Sequence, residues 1–152
     1  MALDILIVDD EEDIRELIKL VLIRDGHHVV TVADGLANPW SIAFLPNEPT
    51  MLVAERPGRL RIIRDGRLLP DPVPGVPTVL AEGQGGLLDV VPHPDFTSNR
   101  LIYLSFSKPI AGEEGATTAV VRGRFENDRL TNIEEIFEAD SRGRGHYGSR
   151  IA

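Results

Sequence analysis

The helical apolar period of this chain is confined to residues before Gly35, and a chain that carries both a helical and an extended period must build two kinds of structure. Before that glycine, Leu3 to Val8 is a short β-branched apolar run that ends in Asp9-Asp10-Glu11-Glu12-Asp13. Ile14, Leu17, Ile18, Val21 and Leu22 then recur at helical spacing. The pattern predicts a strand, an acidic turn and a helix with Asp13 as N-cap, stopped by Asp25-Gly26 before a second extended run over 28–32. A β-α-β unit with a right-handed crossover is expected, with Leu6, Val8, Leu17, Ile18 and Val21 buried.

Beyond Gly35 the helical period is lost. Short apolar runs over 40–45, 51–55, 60–64, 87–91, 101–106, 118–125 and 133–137 alternate with turn signals such as Asp65-Gly66, Gly112 to Gly115 and Asn127-Asp128. Seven such runs predict an antiparallel meander, and their grouping about 45 residues apart is the period of propeller blades. The Pro-rich stretch from Pro70 to Pro77 reads as a rigid irregular connection. The expected fold is therefore an α/β N-terminal fragment, residues 1–35, joined to a mainly β region, residues 36–152, of two propeller-like blades. The alternative is a single new α+β domain.

Charge narrows the partners. Residues 1–35 carry nine acids and three bases, a net of −6, out of −8 for all 152 residues. Such a balance disfavours binding to nucleic acid or an anionic membrane, which needs clustered Lys and Arg. Arg56, Arg59, Arg61, Arg64 and Arg67 alternate with apolar residues and are expected to line the solvated face of strands. With no cysteine, disulfide, thiolate and zinc-thiolate chemistry are excluded. No run approaches a membrane span, and Met1-Ala2-Leu3-Asp4 does not open like a signal peptide, so a cytoplasmic location is expected.

Two stretches carry chemistry. Asp9 and Asp10, at the carboxyl end of a first parallel strand, are where a hard cation such as Mg²⁺ would bind weakly. Ile5 to Glu11, the following helix, Gly26 to Val30 and Ala33-Asp34-Gly35 resemble the start of a two-component response-regulator receiver domain. The resemblance implies Mg²⁺ at Asp9 and Asp10 and a phosphoacceptor aspartate about 44 residues on. That position is Ala54, beside Glu55, so the oxygen nucleophile of aspartyl-phosphate chemistry is missing.

The second is Gly83-Gln84-Gly85-Gly86 running into Leu87 to Val91 and Pro92-His93-Pro94-Asp95-Phe96, a glycine loop feeding a buried strand. Glycines there permit close approach to a flat ligand or a neighbouring strand, and Gln84 offers a donor and an acceptor. With Asn38-Pro39-Trp40 to Phe44-Leu45-Pro46, Ala54 to Arg59, Asn99 to Ser105 and His146-Tyr147-Gly148-Ser149-Arg150, it resembles the N-terminal part of soluble pyrroloquinoline-quinone-dependent aldose sugar (glucose/sorbosone) dehydrogenases. That family is a six-bladed propeller holding the quinone and Ca²⁺ over its axis. The resemblance implies that Gln84 contacts the quinone and that His146 is the general base, with an aldose as substrate. It also implies that the Ca²⁺ ligands and most of the sugar pocket lie on blades not encoded in these residues.

Three functions follow. The first is a fragment or chimera related to the dehydrogenases, not competent alone; the second a degenerate receiver acting as a binding module; the third an engineered chimera with no evolved activity. A natural fusion and a misassembled gene model give the same pattern at Gly35. The dehydrogenase family is usually exported, against the expected cytoplasmic location. Open blades would expose sheet edges and favour self-association.

Overall fold

The computed structural model describes every residue except Val32, Arg144, His146, Gly148 and Ser149. The chain is mainly β, with three sheets and two helices among the described residues. No described helix is long and apolar enough to cross a membrane.

Strand β1 (Asp4–Ile7) pairs in parallel with β2 (His28–Thr31), and helix α1 (Glu12–Arg24) lies between them in sequence. The helix stops as expected. Gly26, at φ 87°, lets His27 N–H reach Leu22 O and Gly26 N–H reach Ile23 O, the paired bonds that close a helix through a left-handed residue. Its start differs from expectation. The N-cap is Glu11, with no side-chain cap bond, and Asp13 lies within the first turn.

The larger correction concerns packing. Leu17, Ile18 and Val21 are 63%, 39% and 40% exposed, α1 buries no residue, and Leu6 and Val8 are only half-buried. Ile7 is the buried residue of β1. A two-stranded sheet is too narrow to cover a thirteen-residue helix, so no α/β layer forms. Instead Val8 and Ala33 pack with Leu36 against Val53 and Ile63 of the next sheet.

That sheet is a meander of β3 (Pro39–Phe44), β4 (Thr50–Glu55), β5 (Arg59–Arg64) and β6 (Arg67–Leu68). Asp65 and Gly66, both at positive φ, make the tight turn that aligns Arg64 with Arg67. β4 pairs with β3 and β5, so the receiver-like stretch around Ala54 adds no third strand to β1 and β2. Ala54 itself is fully buried.

A second meander follows: β7 (Leu87–Pro92), the short helix α2 (Phe96–Asn99), then β8 (Leu101–Pro109), β9 (Ala116–Glu126) and β10 (Arg129–Glu138). Asn127 and Asp128, again at positive φ, join the last two. All seven expected strands are present; β3 is shifted by one residue, and the others extend past the apolar runs because ladder pairing continues beyond the apolar residues.

The two meanders face each other across one core. Ala43, Leu52, Leu60 and Ile62 from the first meet Leu87, Phe96, Ile102, Leu104 and Phe125 from the second. The Pro-rich connection belongs to this core: Val73 is buried, and Leu130 N–H bonds to Pro74 O. Gly75 is required there, because a Cβ would overlap Leu130 O. β10 ends the sheet with only Leu130 buried.

In the arginine stretch Arg59 and Arg67 are exposed as expected, and Arg61 departs from expectation. Arg61 is 7% exposed, and its guanidinium donates to Leu69 O and Pro70 O while facing Glu55 at 3.6 Å. Glu55 is fully buried and also accepts from Arg59 Nε and Ala37 N–H, both at 2.6 Å. Alternation in β5 is overridden because a carboxylate sequestered in β4 requires cationic partners.

Candidate functional site

The glycine loop is built against protein backbone. A Cβ on Gly86 would overlap Arg56 O, which accepts Leu87 N–H. A Cβ on Gly85 would lie 2.5 Å from Leu80 O and 3.0 Å from the Tyr147 ring. Ser107 knits the loop down: its Oγ accepts Gly86 N–H at 2.6 Å and donates to Leu80 O at 2.7 Å. The Arg56 guanidinium also donates to Gly83 O. These glycines make close approaches to neighbouring backbone, at Arg56 O and Leu80 O.

Held by this framework, Gln84 is exposed at the loop tip. Its Oε1 lies 3.8 Å from where a Cβ on Gly145 would stand. Gly145 precedes His146, so the loop carrying one expected site residue abuts the segment carrying the other. His146 itself lies outside the described residues.

Its neighbours are well anchored. Gly143 bridges Ala116 in both directions, with N–H to O distances of 2.8 and 3.1 Å. Tyr147 is buried with Leu88, Ala116 and Leu80; its hydroxyl donates to Gly143 O, and Thr118 Oγ1 donates to Tyr147 O at 2.5 Å. A cavity of about 160 Å³ lies beside this segment, lined by Thr118, Ser141, Arg142, Gly145 and Tyr147. Reading the sequence assigned no role to Tyr147 or Ser107. The signal for Ser107 was present, since Ser105 and Ser107 are polar residues at alternate positions in an otherwise apolar strand.

The acidic pair is occupied locally. Asp9 Oδ1 accepts Glu11 N–H at 2.8 Å, in place of an N-cap bond. Asp10 Oδ2 accepts Asn38 N–H at 3.2 Å and Asn38 Nδ2 at 2.8 Å, tying the first unit to the start of β3. Among the described residues no group of three or more His, Asp or Glu is placed to hold a metal ion.

Two consecutive four-stranded antiparallel meanders, packed face to face with their first strands β3 and β7 adjacent, define a propeller-like β protein. Residues 36–152 match the model of the glucose/sorbosone dehydrogenase family, and the chain belongs to that family. It is 43% identical over 130 residues to aldose sugar dehydrogenase YliI of Escherichia coli strain K12, covering 82% of this chain and 34% of that protein. A solved glucose dehydrogenase structure superposes with a TM-score of 0.71 at 48% identity, over 76% of this chain and 35% of the other. The PQQ-bound aldose sugar dehydrogenase of Streptomyces coelicolor does so with a TM-score of 0.59 at 28% identity, over 72% and 33%. The chain thus spans about one third of the length of the curated relatives it matches, 31% and 34% of the first two. The family match begins at Leu36, and the receiver-like resemblance of the preceding residues rests on its motif alone.

Proposed function

We propose that this chain contributes the quinone-facing loop and the proton acceptor of a quinone-dependent aldose dehydrogenase, and that these 152 residues alone do not turn over. The observation that carries the reading is the approach of Gln84 Oε1 to Gly145, at 3.8 Å from its would-be Cβ, within a chain of this family. Residues 61 positions apart in such motifs have no reason to meet unless the fold assembles them.

The residues fit a planar, polar cofactor. An exposed amide stands on a loop that Ser107 and Arg56 immobilise, and the cavity beside the Gly145 segment is lined by Thr118, Ser141, Arg142 and Tyr147. Bound quinone would supply a two-electron, hydride-accepting centre. Gln84 would orient it by hydrogen bonding. Imidazole as a side chain type suits proton transfer near neutrality, and that of His146 would take the hydroxyl proton at the anomeric carbon of an aldose. Ca²⁺ would come with the cofactor on ligands outside these residues. Catalysis needs several groups held to sub-ångström tolerance, and two of them on two blades fall short of that.

The test has two arms. Titration of the purified chain with pyrroloquinoline quinone and Ca²⁺, followed by cofactor absorbance, should show binding that weakens in Gln84→Ala; absence of binding would sink the assignment of Gln84. Dye reduction with added glucose should show no turnover. Turnover that disappears in His146→Ala would overturn the claim that the chain is incompetent alone and would support His146 as the base.

A further inference from the structure

Gln84 stands in a tight turn of a kind that has two states. Gly85 N–H donates to Glu82 O at 2.8 Å, so Glu82 to Gly85 form a hydrogen-bonded turn with Gly83 and Gln84 at its centre. Gly83, at φ 54°, has the positive φ that the mirror-image turn types I′ and II′ demand of the first central residue. Those two types interconvert by turning over the peptide between the central residues, which swings φ of the second by about 170°. Gln84 is not among the non-glycine residues at positive φ, so the state present is II′. A flip of the Gly83–Gln84 peptide would re-aim the Gln84 amide.

Arg56, the residue after β4, meets this turn from the first meander. Its guanidinium donates to Gly83 O, the carbonyl of the peptide that flips. In the other state that oxygen points away and the bond is lost. Arg56 is itself firmly placed: its N–H donates to Asn38 O at 2.9 Å and its carbonyl accepts Leu87 N–H at 3.1 Å. The side chain reaches Gly83 by crossing Gly86, where a Cβ would stand 2.6 Å from Arg56 Cγ. One residue thus holds the glycine loop at both ends, Gly83 through its side chain and Leu87 through its backbone. Ser107 bonds to Gly86 and Leu80, and Arg56 to the turn itself. A cationic donor makes a stronger bond to a carbonyl than a neutral one, and the planar guanidinium fixes its direction.

We propose that Arg56 is a positioning residue for Gln84: by holding Gly83 O it keeps the turn in the state from which the Gln84 amide binds the quinone. This rests on the reading of Gln84 as a quinone contact. In this role Arg56 touches neither quinone nor sugar and acts through the Gly83–Gln84 peptide.

The test uses the full chain, isotopically labelled. Arg56→Met keeps the aliphatic stem over Gly86 and deletes the donor, and Arg56→Lys keeps a cationic donor. NMR reads the turn: in II′ the Gly83 α-protons lie close to the Gln84 N–H, whereas in I′ the Gly83 and Gln84 amide protons lie close to each other. Arg56→Met should weaken the first Overhauser contact and bring up the second, with Arg56→Lys between it and wild type. Pyrroloquinoline quinone, titrated with Ca²⁺, should bind Arg56→Met at least about fivefold more weakly than wild type, the size of a coupling between residues in contact. It should bind the double variant with Gln84→Ala no more weakly than Gln84→Ala alone, because losses through one shared contact do not add. Additive losses would overturn the proposal, since they mark an independent contact of Arg56 with the quinone. So would an unchanged Overhauser pattern in folded Arg56→Met, or a chain that Arg56→Met unfolds, which marks a residue of the fold alone. Failure of quinone binding in the wild-type chain would sink the reading of Gln84 as a cofactor contact, while the Overhauser pattern still decides whether Arg56 sets the turn.

Discussion

Arg64, at the end of the first meander, grips Asp128, in the last turn of the second, with two parallel hydrogen bonds of 3.0 and 2.5 Å. The fork-to-fork geometry joins the two sheets at a point 64 residues apart in sequence. Both side chains keep about 40% of their surface exposed, so solvent screens the pair. Its removal in Arg64→Ala should cost no more than about 1 kcal/mol in urea unfolding.

The same pair predicts a pH dependence. Hydrogen bonding to Arg64 lowers the Asp128 carboxyl below the ordinary aspartate value of 3.8, and the bond to Asp128 raises Arg64 above its already strongly alkaline ordinary value. A depressed carboxyl stabilises the fold above its unfolded pKa, and this contribution is lost as pH falls through the folded value. The Arg64 contribution persists up to strongly alkaline pH. The stability difference between wild type and Asp128→Asn should therefore be constant near neutrality and shrink as pH falls below 3.8. An unchanged difference in strong acid would contradict the assignment.

Glu55 is expected to be structural and chemically silent. Its fully buried carboxylate answers Arg59, Arg61 and the Ala37 N–H. Glu55→Ala should destabilise by about 3–5 kcal/mol by stranding buried Arg61, measured by thermal or urea unfolding. Incubation with acetyl phosphate and Mg²⁺ should leave the intact mass unchanged; an acid-labile acyl phosphate mapped to Glu55 would refute this.

The helix α1 makes an internal control. Leu17→Ala, at a residue 63% exposed, should change stability within about 0.5 kcal/mol. Leu104→Ala, at a fully buried residue, should cost about 2–5 kcal/mol. Comparable losses would mean that α1 is packed in solution.

Ile133, Ile136 and Phe137 are 43–53% exposed on β10, whose outer edge has no partner strand among the described residues. Open apolar edges recruit other strands. Sedimentation should show concentration-dependent self-association, reduced in Phe137→Lys. A monomer at all accessible concentrations would contradict it.

The sequence by itself determined the local events of this protein. Asp65-Gly66 and Asn127-Asp128 make tight turns because those residues accept positive φ, and the apolar runs between them become strands because alternation and β-branching suit a pleated, half-buried surface. The match of residues around Gln84 and His146 to a family was also legible, since motifs are local. Tertiary structure alone decided what covers what. Helical spacing in α1 reports an apolar face and not a partner, and a two-stranded sheet leaves Leu17 in water. Alternation placed Arg61 outward, and the buried charge of Glu55, six residues earlier, brought it in. Nothing near Asp89 in sequence points to Ile151. Hydrogen bonds and ion pairs across tens of residues depend on where folding brings the backbone, and that is set by the packing of whole sheets, which no short window of sequence contains.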